Sequence, residues 1–546
     1  MKERLLVIIK CLAMLVIAVV FFNIMKTDKV KEVTVNEVSR LVVYGDNVDK
    51  KYLPLVEDDN IYISYETIED FIDKNIYRDS SSNKIIIASE DCLYKFSKDS
   101  VTKNLQPVSS DKLVKFTEDK AYINANILRE VYKIKCEYEE ETATVAIDEK
   151  NDGDLHLNYN EVRMYNDIRT DADIIEILNT DNTVVVYTES LNHNRWYKVK
   201  SDSGKIGYIE KSAVTLKTPE EIEEEKAKNV QNVNKKIMFW QYGSKLETLG
   251  DKIDGVDVAM PTWFKVSNSD GSIEINYDKN YYNKAKANGY ELYPILSNNY
   301  DSSEINSKEL SSKLLRSEAS RENLIRNIIN VVTDYELDGI NIDFEAMNDD
   351  DKMYYTQFLR ELHPMMKEIN KKLTVDVYFT SYIDRSAVGQ VVDYFMLMGY
   401  DQRGTWSKSA GSISEISWVE DSIKSLIEDS KVDSQKIILG VPFYTRLWKI
   451  DSNDNLTSET LSIGQCKDIL TKYNLSTTYD EESGQNYVSY TDNGATYKLW
   501  LEDETSISAR AELVNKYNLG GITAWQKGLA YDSIFEVIKN VVKSNN

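Results

Sequence analysis

The segment Asp338–Glu345, with the sequence DGINIDFE, constrains the fold of this chain more than any other stretch. Polar side chains recur at every second position, Asn341, Asp343 and Glu345, and apolar side chains stand between them. Successive side chains of a β-strand point to opposite faces, so the alternation predicts a strand with these three polar groups on one face. Two acids and an amide on one buried strand face are costly unless they do chemistry there. We therefore interpret the segment as an active-site strand rather than as a half-exposed edge strand.

Three later segments strengthen this interpretation. They are MGYD at Met398–Asp401, GVPFYTR at Gly440–Arg446 and GGITAW at Gly520–Trp525. They resemble the motifs of strands 6, 7 and 8 of glycoside hydrolase family 18, the chitinase-like family, and Asp338–Glu345 resembles the motif of its strand 4. The four motifs occur along this chain in the same order as in the family. The resemblance implies a glycosidase built on a TIM barrel.

The region 236–546 supports such a barrel independently of the motifs. Apolar β runs alternate there with amphipathic helices, which predicts a parallel sheet with right-handed crossovers. Eight strands predict a (β/α)8 barrel, in which active sites lie at the carboxyl ends of the strands. The stretch of about 450–505 is too long for a plain crossover, so we expect a small α+β insertion after strand 7. The predicted strands are Lys236–Tyr242, Val256–Met260, Glu291–Leu296, Gly339–Glu345, Leu373–Thr380, Tyr394–Tyr400, Lys436–Val441 and Gly521–Trp525.

The resemblance also implies a mechanism and a set of site residues. Family 18 uses the 2-acetamido group of the substrate as the nucleophile, an exception to the two-carboxylate scheme of most glycosidases. In the mechanism of family 18, Glu345 matches the general acid. Asp343 matches the residue that orients the acetamide N–H, and Tyr400 matches the phenol that binds the acetamide carbonyl oxygen. We expect a raised pKa for Glu345 from burial and from Asp343. The residues expected to contact the substrate beside the catalytic pair are Asn341, Asp401, Tyr444 and Arg446. Trp525 is expected to form the floor under the sugar. Trp240 and Trp263 are expected to be subsite platforms, although packing inside the barrel is an equal alternative for these two tryptophans.

Two positions depart from the family pattern. Asn341 replaces an inner Asp that in most of the family shares a proton with the middle Asp. An amide can hydrogen-bond Asp343 but cannot take up charge, so we expect a different pH profile. Strand 3 ends in Ser297–Asn299 (SNN) where many chitinases carry Ser-x-Gly-Gly, which disfavours a chitinase. Asn341 and the PTWF segment Pro261–Phe264 make the bacterial spore-cortex and cell-wall N-acetylglucosaminidases the most similar subgroup.

The first thirty residues, 1–30, predict a membrane anchor. Leu5–Met25 is apolar apart from Lys10 and Asn23, and no small-x-small cleavage site follows it. Lys2 and Arg4 place the positive end inside, so the rest of the chain should lie on the cell-wall side of the membrane. We expect an uncleaved, single-pass signal anchor; secretion after signal cleavage is the alternative.

Three segments separate the anchor from the barrel. Residues 33–150 contain a strand–helix–strand unit that occurs twice, and they resemble the α+β domain named for the N-terminus of copper amine oxidases. This segment has no histidine, so we expect a stalk rather than a copper site. Residues 155–215 resemble a bacterial SH3-like barrel, a domain that often binds wall peptides, although its aromatic residues could equally be core. Residues 216–235 are a charged linker.

Composition limits the partners. A net charge of −24 disfavours nucleic acid and fits a neutral or zwitterionic glycan. Four cysteines are too few for a disulfide framework; Cys92 and Cys136 could pair or could be buried thiols. The three histidines are isolated, so we expect no metal and no cofactor.

The sequence thus predicts a membrane-anchored, retaining glycosidase. Its expected substrate is β-linked N-acetylglucosamine in the peptidoglycan of the cell wall or spore cortex. One alternative is a chitinase or endo-N-acetylglucosaminidase acting on chitin-like or N-glycan substrates. The other is a non-catalytic protein that binds wall glycans, which the presence of Glu345 argues against. Wall peptides at the SH3-like domain and the membrane at the N-terminal helix are the further expected partners.

Overall fold

The computed structural model describes most of the chain after the predicted anchor. The predicted anchor and residues 216–233 of the predicted linker lie outside the described residues. Within the described ranges, no helix has both the length and the apolar character needed to cross a membrane. The described residues are 35–79, 82–110, 112–117, 120–149, 155–187, 195–215, 234–299 and 306–543.

The chain divides into two compact units that cut across the predicted 33–150 domain. Of the described residues, those within 35–74 and 109–215 belong to the smaller unit, and those within 75–108 and 234–543 belong to the larger one. The middle of the predicted stalk therefore packs with the barrel region rather than with the rest of the stalk.

The larger unit contains a closed barrel of eight parallel strands, which confirms the predicted fold class. The ring closes because strand 1 pairs with both strand 2 and strand 8. The third strand is interrupted at Tyr293–Pro294, where proline has no N–H to donate, and a short piece, Glu291–Leu292, precedes the break. The strands are β1 Lys236–Gln241, β2 Val258–Val266, β3 Ile295–Ser297, β4 Gly339–Asp343, β5 Lys372–Val377, β6 Tyr394–Met398, β7 Ile437–Pro442 and β8 Gly521–Trp525.

The start of β4 is fixed by its two opening residues. Asp338 accepts hydrogen bonds from the Leu292 N–H at 2.9 Å and from the Lys286 ammonium at 2.8 Å, which ties β4 to the third strand. A Cβ at Gly339 would lie 2.6 Å from the Lys372 carbonyl oxygen, so only glycine allows β5 to approach here. These contacts lie at the end of β4 opposite the cleft and are structural.

Helices cover the outside of the barrel. Five of the helices start with a side-chain cap; for example, the Asp503 carboxylate accepts the N–H groups of Thr505 and Ser506. Leucine, isoleucine and valine side chains on their inner faces form one buried core with the outward face of the sheet. The helices are Leu246–Leu249, Lys279–Ala287, Ser307–Arg316, Glu318–Asp334, Lys352–Glu368, Arg385–Gln390, Ile416–Lys424, Glu504–Lys516 and Ser533–Val542.

An α+β insertion follows β7, as the long connection predicts. It consists of a five-stranded antiparallel sheet and the helix Ile463–Lys472. It begins earlier than expected, because its first strand opens at Tyr444, two residues after β7 ends at Pro442. Tyr444 and Arg446 therefore belong to the insertion and project from its first strand. The strands are Tyr444–Ile450, Leu456–Ser462, Thr478–Asp480, Gln485–Asp492 and Ala495–Trp500.

Residues 75–108 form a five-stranded antiparallel sheet that packs on two barrel helices. Lys95 is 4% exposed, and its ammonium lies 2.8 Å from Glu318, 2.9 Å from Glu322 and 3.1 Å from Glu361. If the sheet shifted on the barrel helices, Lys95 would lose these partners and leave uncompensated buried charges, which is costly. The cluster therefore favours one position of the sheet on the barrel. The strands are Tyr77–Arg78, Ile85–Ala88, Leu93–Phe96, Val101–Lys103 and Gln106–Val108.

The smaller unit is rich in β-structure. The two halves of the predicted repeat, Asn60–Ser64 and Ala121–Asn124, pair with each other in one sheet, and each leads into a helix, Tyr65–Phe71 or Ala125–Tyr132. A separate six-stranded antiparallel sheet spans 155–210. The described residues thus contain additional β domains before the barrel, whose likeness to copper amine oxidase and SH3-like domains stays a prediction. The other strands are Val35–Asn36, Arg40–Val43, Asp46–Asn47, Leu55–Glu57, Val114–Phe116, Ile134–Glu139, Thr144–Glu149, Leu155–His156, Val162–Tyr165, Ile174–Leu178, Thr183–Val186, Trp196–Ser201 and Ile206–Glu210.

The cysteines in the described residues are thiols. Cys92, Cys136 and Cys466 are each buried, and none of the three forms a disulfide. Of the two alternatives for Cys92 and Cys136, the structure therefore has buried thiols rather than a disulfide.

Candidate active site

Asp343 and Glu345 lie together where β4 reaches the mouth of the barrel. β4 ends at Asp343, and Glu345 follows two residues later on the same face. Burial and the neighbouring carboxyl group of Glu345 raise the pKa of Asp343 well above its usual value. The Glu345 side chain opens to the cleft, yet partial burial raises its pKa. The neighbouring Asp343 lowers the pKa of Glu345, and the charge of Asp401 raises it. Two neighbouring carboxyl groups disfavour the state in which both are charged, so one of them keeps its proton to a higher pH than a free carboxyl group does.

Tyr400 follows β6 and faces the same carboxyl groups. Its side chain is buried, and burial raises its pKa well above its usual value, with further contributions from Tyr444 and from the charges of Asp376, Glu345 and Asp343. The phenol therefore stays neutral and can donate a hydrogen bond.

Two tyrosines hold Asp401 beside the catalytic pair. The Tyr444 hydroxyl donates to the Asp401 carboxylate at 2.7 Å, and the Tyr378 hydroxyl donates to the Asp401 main-chain oxygen at 2.8 Å. Burial, Asp401 and Glu345 raise the pKa of Tyr378 to about 12, so this hydroxyl also stays a donor. Tyr378 lies just beyond β5 and was not among the predicted site residues.

Arg446 and Trp525 complete the group that the structure brings together. The positive charge of Arg446 acts on Tyr444, although burial and Asp401 have larger effects on the Tyr444 pKa. The buried Arg446 Nε has no hydrogen-bond partner among the described residues. Trp525 ends β8 half-buried, with its ring centroid 6.3 Å from that of Trp240. A half-buried indole at this place has the exposure that a sugar floor needs.

The two tryptophans predicted as platforms are buried. Trp263 is 0% exposed, its indole N–H donates to Ser244 Oγ at 2.6 Å, and its ring packs on Tyr277 and Tyr281. Barrel packing, the alternative, accounts for Trp263, which presents no face to a sugar here. Trp240 is 1% exposed and packs edge-to-face on Tyr400, with ring centroids 6.4 Å apart. It supports site residues from below instead of forming a surface.

Asn341 contacts a residue that the sequence analysis missed. Its Nδ2 donates to Asp376 Oδ2 at 2.6 Å, and the Thr374 hydroxyl donates to its Oδ1 at 2.6 Å. An amide at this position can hydrogen-bond Asp343, but in the structure these two bonds join Asn341 to β5, where it pairs directly with Thr374. Thr374, Asp376 and Tyr378 stand at every second position, the same signal that identifies β4.

Asn298 fixes the chain directly after Glu345. It is fully buried, its Oδ1 accepts the Ala346 N–H at 3.1 Å, and its Nδ2 donates to the Ala346 carbonyl oxygen at 3.1 Å. This amide lies in the Ser297–Asn299 segment that departs from the chitinase pattern. It fixes the backbone one residue after Glu345.

The site consists of carboxyl, phenol, amide, guanidinium and indole groups. No cluster of histidine, cysteine or acidic residues in the described ranges has an arrangement that could hold a metal ion.

Comparisons with known proteins agree with this arrangement. Residues 246–529 match the family model described as glycosyl hydrolases family 18. The glycosylase YvbX of Bacillus subtilis (strain 168) is 24% identical over 270 residues, which are 47% of this chain and 77% of YvbX. The cortical fragment-lytic enzyme of the same organism is 29% identical over 255 residues, 43% of this chain and 58% of that enzyme.

Solved structures show the same fold. The spore cortex-lytic enzyme SleL of Bacillus megaterium QM B1551 superposes with a TM-score of 0.51 and 19% identity, covering 62% of this chain and 77% of SleL. A chitinase of Chromobacterium violaceum ATCC 12472 gives a TM-score of 0.51 and 21% identity, covering 56% of this chain and 99% of the chitinase.

The barrel and its carboxyl pair define a TIM-barrel glycosidase. The chain belongs to glycosyl hydrolase family 18, whose model matches more than half of its length. It spans 77% of YvbX but only 58% of the cortical fragment-lytic enzyme, so the substrates of such relatives enter only as a proposal.

Proposed function

We propose that this protein cleaves β-linked N-acetylglucosamine in peptidoglycan by substrate-assisted hydrolysis with retention of configuration. The observation that carries the proposal is that Asp343 and Glu345 stand together at the end of β4 with raised pKa values, and that the neutral phenol of Tyr400 lies beside them. An acid, an anion and a phenol donor are the three groups that this reaction requires.

In the first step Glu345 acts as the general acid. Its carboxyl proton moves to the glycosidic oxygen while the bond from that oxygen to the anomeric carbon breaks. The acetamido oxygen of the same sugar forms the new bond to the anomeric carbon and gives a bicyclic oxazolinium ion. In the second step a water molecule attacks the anomeric carbon, the acetamido oxygen leaves, and Glu345 takes the water proton.

Asp343 and Tyr400 position the acetamido group. The Asp343 carboxylate accepts the acetamide N–H and offsets the positive charge of the ion, and the Tyr400 hydroxyl donates to the acetamide carbonyl oxygen. Holding the nucleophile in line with the bond to be broken replaces a collision in solution by an oriented contact. Trp240 packs against the Tyr400 ring and keeps it in place.

Peptidoglycan is the favoured substrate because of the relatives. The match to a cortical fragment-lytic enzyme supports a glycan of the cell wall or spore cortex. A chitin-like or N-glycan substrate is the second candidate. The presence of a raised-pKa Glu345 disfavours a protein that only binds glycan.

We propose further that residues 1–30 anchor the enzyme on the wall side of the membrane and that residues 155–215 bind wall peptides. The sequence of the first segment and the β-sheet spanning 155–210 support these roles. Protease treatment of intact cells, followed by detection of the barrel, tests the location. Recovery of intact full-length protein from the cytoplasmic fraction would contradict it.

The test of the main proposal is the requirement for the N-acetyl group. We expect purified full-length enzyme to release muropeptides ending in N-acetylglucosamine, with the β anomer first in proton NMR, and to leave deacetylated glycan intact. A thiazoline analogue of the oxazolinium ion should inhibit strongly, as transition-state-like ligands do. Early α product, or equal cleavage of deacetylated glycan, would refute substrate assistance and make Asp401 the next candidate nucleophile. Cleavage of chitin oligomers but not of peptidoglycan would favour the second substrate.

A further inference from the structure

Asp376 is a buried carboxyl group that the mechanism above does not use. Its side chain is 5% exposed, and its Oδ2 accepts the Asn341 Nδ2–H at 2.6 Å. Its Oδ1 is buried and has no hydrogen-bond partner among the described residues. A buried, half-satisfied carboxyl group is costly, which marks the position as one with a task.

The sheet places Asp376 level with the catalytic pair. β4 and β5 are parallel neighbours in which Asn341 pairs with Thr374 and Ile342 with Val375, so Asp376 stands next to Asp343. Asp343 Oδ1 is likewise buried without a partner among the described residues. The other titratable or polar groups that face Asp376 are Glu345, Tyr355 on the helix Lys352–Glu368, Tyr400 after β6 and the Trp240 indole N–H on β1.

We propose that Asp376 supplies from β5 the buried carboxyl group that Asn341 does not supply on β4, and that it acts through Asp343 to keep a proton on the Asp343–Glu345 pair. Asp376 is a positioning residue, since it is buried beside Asp343 and lies one layer below Glu345. Its part in turnover rests on the proposed function, whereas its effect on the titration of the free protein does not.

Like-charge repulsion provides the physical reason. Burial and the charge of Asp343 raise the pKa of Asp376, and Glu345 adds to this effect. Repulsion is mutual, so whichever of these carboxyl groups ionises first makes it harder to remove a proton from its neighbour, and a third carboxyl group beside the pair raises the pH at which the pair loses its last proton. Glu345 then remains a proton donor to a higher pH. During bond cleavage the Glu345 proton goes to the leaving oxygen, and the protonation state of Asp376 is the same before and after turnover.

The number of carboxyl groups beside Asp343 should therefore determine the pH at which kcat/KM falls on the alkaline side of its optimum, which we call the alkaline limb. We expect Asp376→Asn to move that limb to lower pH by on the order of one unit, because a repulsive neighbour is lost. Asn341→Asp should move it upward, because one is added. The double variant, Asn341→Asp with Asp376→Asn, exchanges amide and carboxyl between the strands and should return the limb close to that of the wild type.

Two measurements on the full-length protein test this. One is the pH dependence of kcat/KM on N-acetylglucosamine glycan, and the other is an infrared titration of the protonated-carboxyl band without substrate. Asp393→Asn is the matched control: Asp393 accepts the Leu373 N–H at 2.9 Å at the opposite end of β5, so its loss should leave both curves unchanged.

The outcomes separate the two proposals. Should the wild type cleave no such glycan, the proposed function fails and the infrared titration still tests Asp376. Unchanged infrared curves in both Asp376→Asn and Asn341→Asp would overturn the inference, as would a double variant that behaves like Asp376→Asn alone. If Asp376→Asn does not fold, the direction of the shift in Asn341→Asp decides: an upward shift supports the inference, and no shift overturns it.

Discussion

β4 and β5 are neighbouring strands that carry polar side chains with the same two-residue period, yet they serve the site differently. The polar face of β4 runs outward through Asn341 and Asp343 to Glu345, which opens to the cleft. On β5 the corresponding face runs from Thr374 to Asp376, and both side chains are buried. Each strand contributes carboxyl groups, so the two strands do not differ in chemistry. They differ in how far their carboxyl groups extend along the barrel axis: Glu345 reaches the mouth, and Asp376 stays buried.

Depth determines what a carboxyl group can do. At the mouth, Glu345 can exchange its proton with a substrate and with water. One layer below, Asp376 is closed off by Asn341 and can act only through its charge. In the proposed mechanism, this barrel separates the group that reacts from the group that adjusts its pKa by placing them on adjacent strands.

The largest effect expected from this difference is that of Glu345→Gln. The amide is isosteric but cannot donate a proton to the leaving oxygen, so kcat should fall on the order of 10²–10⁴-fold. Glycan affinity and the melting temperature should stay near the wild-type values. Asp376→Asn, the matching acid-to-amide change on β5, should cost far less at the pH optimum. The comparison between the strands fails if the two variants lose activity equally.

The second effect concerns how β4 is held at its end. Asn298→Ala removes both hydrogen bonds to Ala346 and leaves two buried backbone groups unpaired, which should cost about 2–4 kcal/mol of stability. We expect kcat to fall about tenfold while KM changes little, because Glu345 loses its fixed position rather than its proton.

Ser311→Ala is the control for that variant. It removes the contact of 2.9 Å between Asn298 Nδ2 and Ser311 Oγ and the bond of 2.9 Å from this hydroxyl to the Ser307 carbonyl oxygen, but it keeps both hydrogen bonds from Asn298 to Ala346. Stopped-assay kinetics together with chemical unfolding of both variants distinguish the two roles. An equal fall of kcat in Ser311→Ala would mean that Asn298 does not act through Ala346.

Much of this site could be predicted from the sequence, and the exceptions share a cause. The eight strands, the insertion and the end of β4 follow from periodicity and motifs, because those signals are local in the chain. Asp376 and Asn298 become site residues only through pairing across the sheet: Asn341 meets Thr374, and Asn298 meets Ala346. The burial of Trp263 depends on Tyr277 and Tyr281, which come later in the chain. No motif on one strand encodes such neighbours.

The smallest effect should come from Thr374→Val, which tests the contact between the two strands. The Thr374 hydroxyl donates to Asn341 Oδ1 and so turns the amide N–H toward Asp376. Valine keeps the shape but leaves that oxygen unpaired, at a cost of about 1–3 kcal/mol in unfolding free energy. Because no charge is added or removed, kcat/KM should fall only a few-fold and its alkaline limb should stay in place. Thr356→Val, at a hydroxyl that bonds the Lys352 carbonyl oxygen at 3.0 Å within a helix, should leave kcat/KM unchanged. A shift of the limb in Thr374→Val as large as that in Asp376→Asn would show that the direction of the Asn341 amide, and not the charge on β5, sets the proton affinity of the pair.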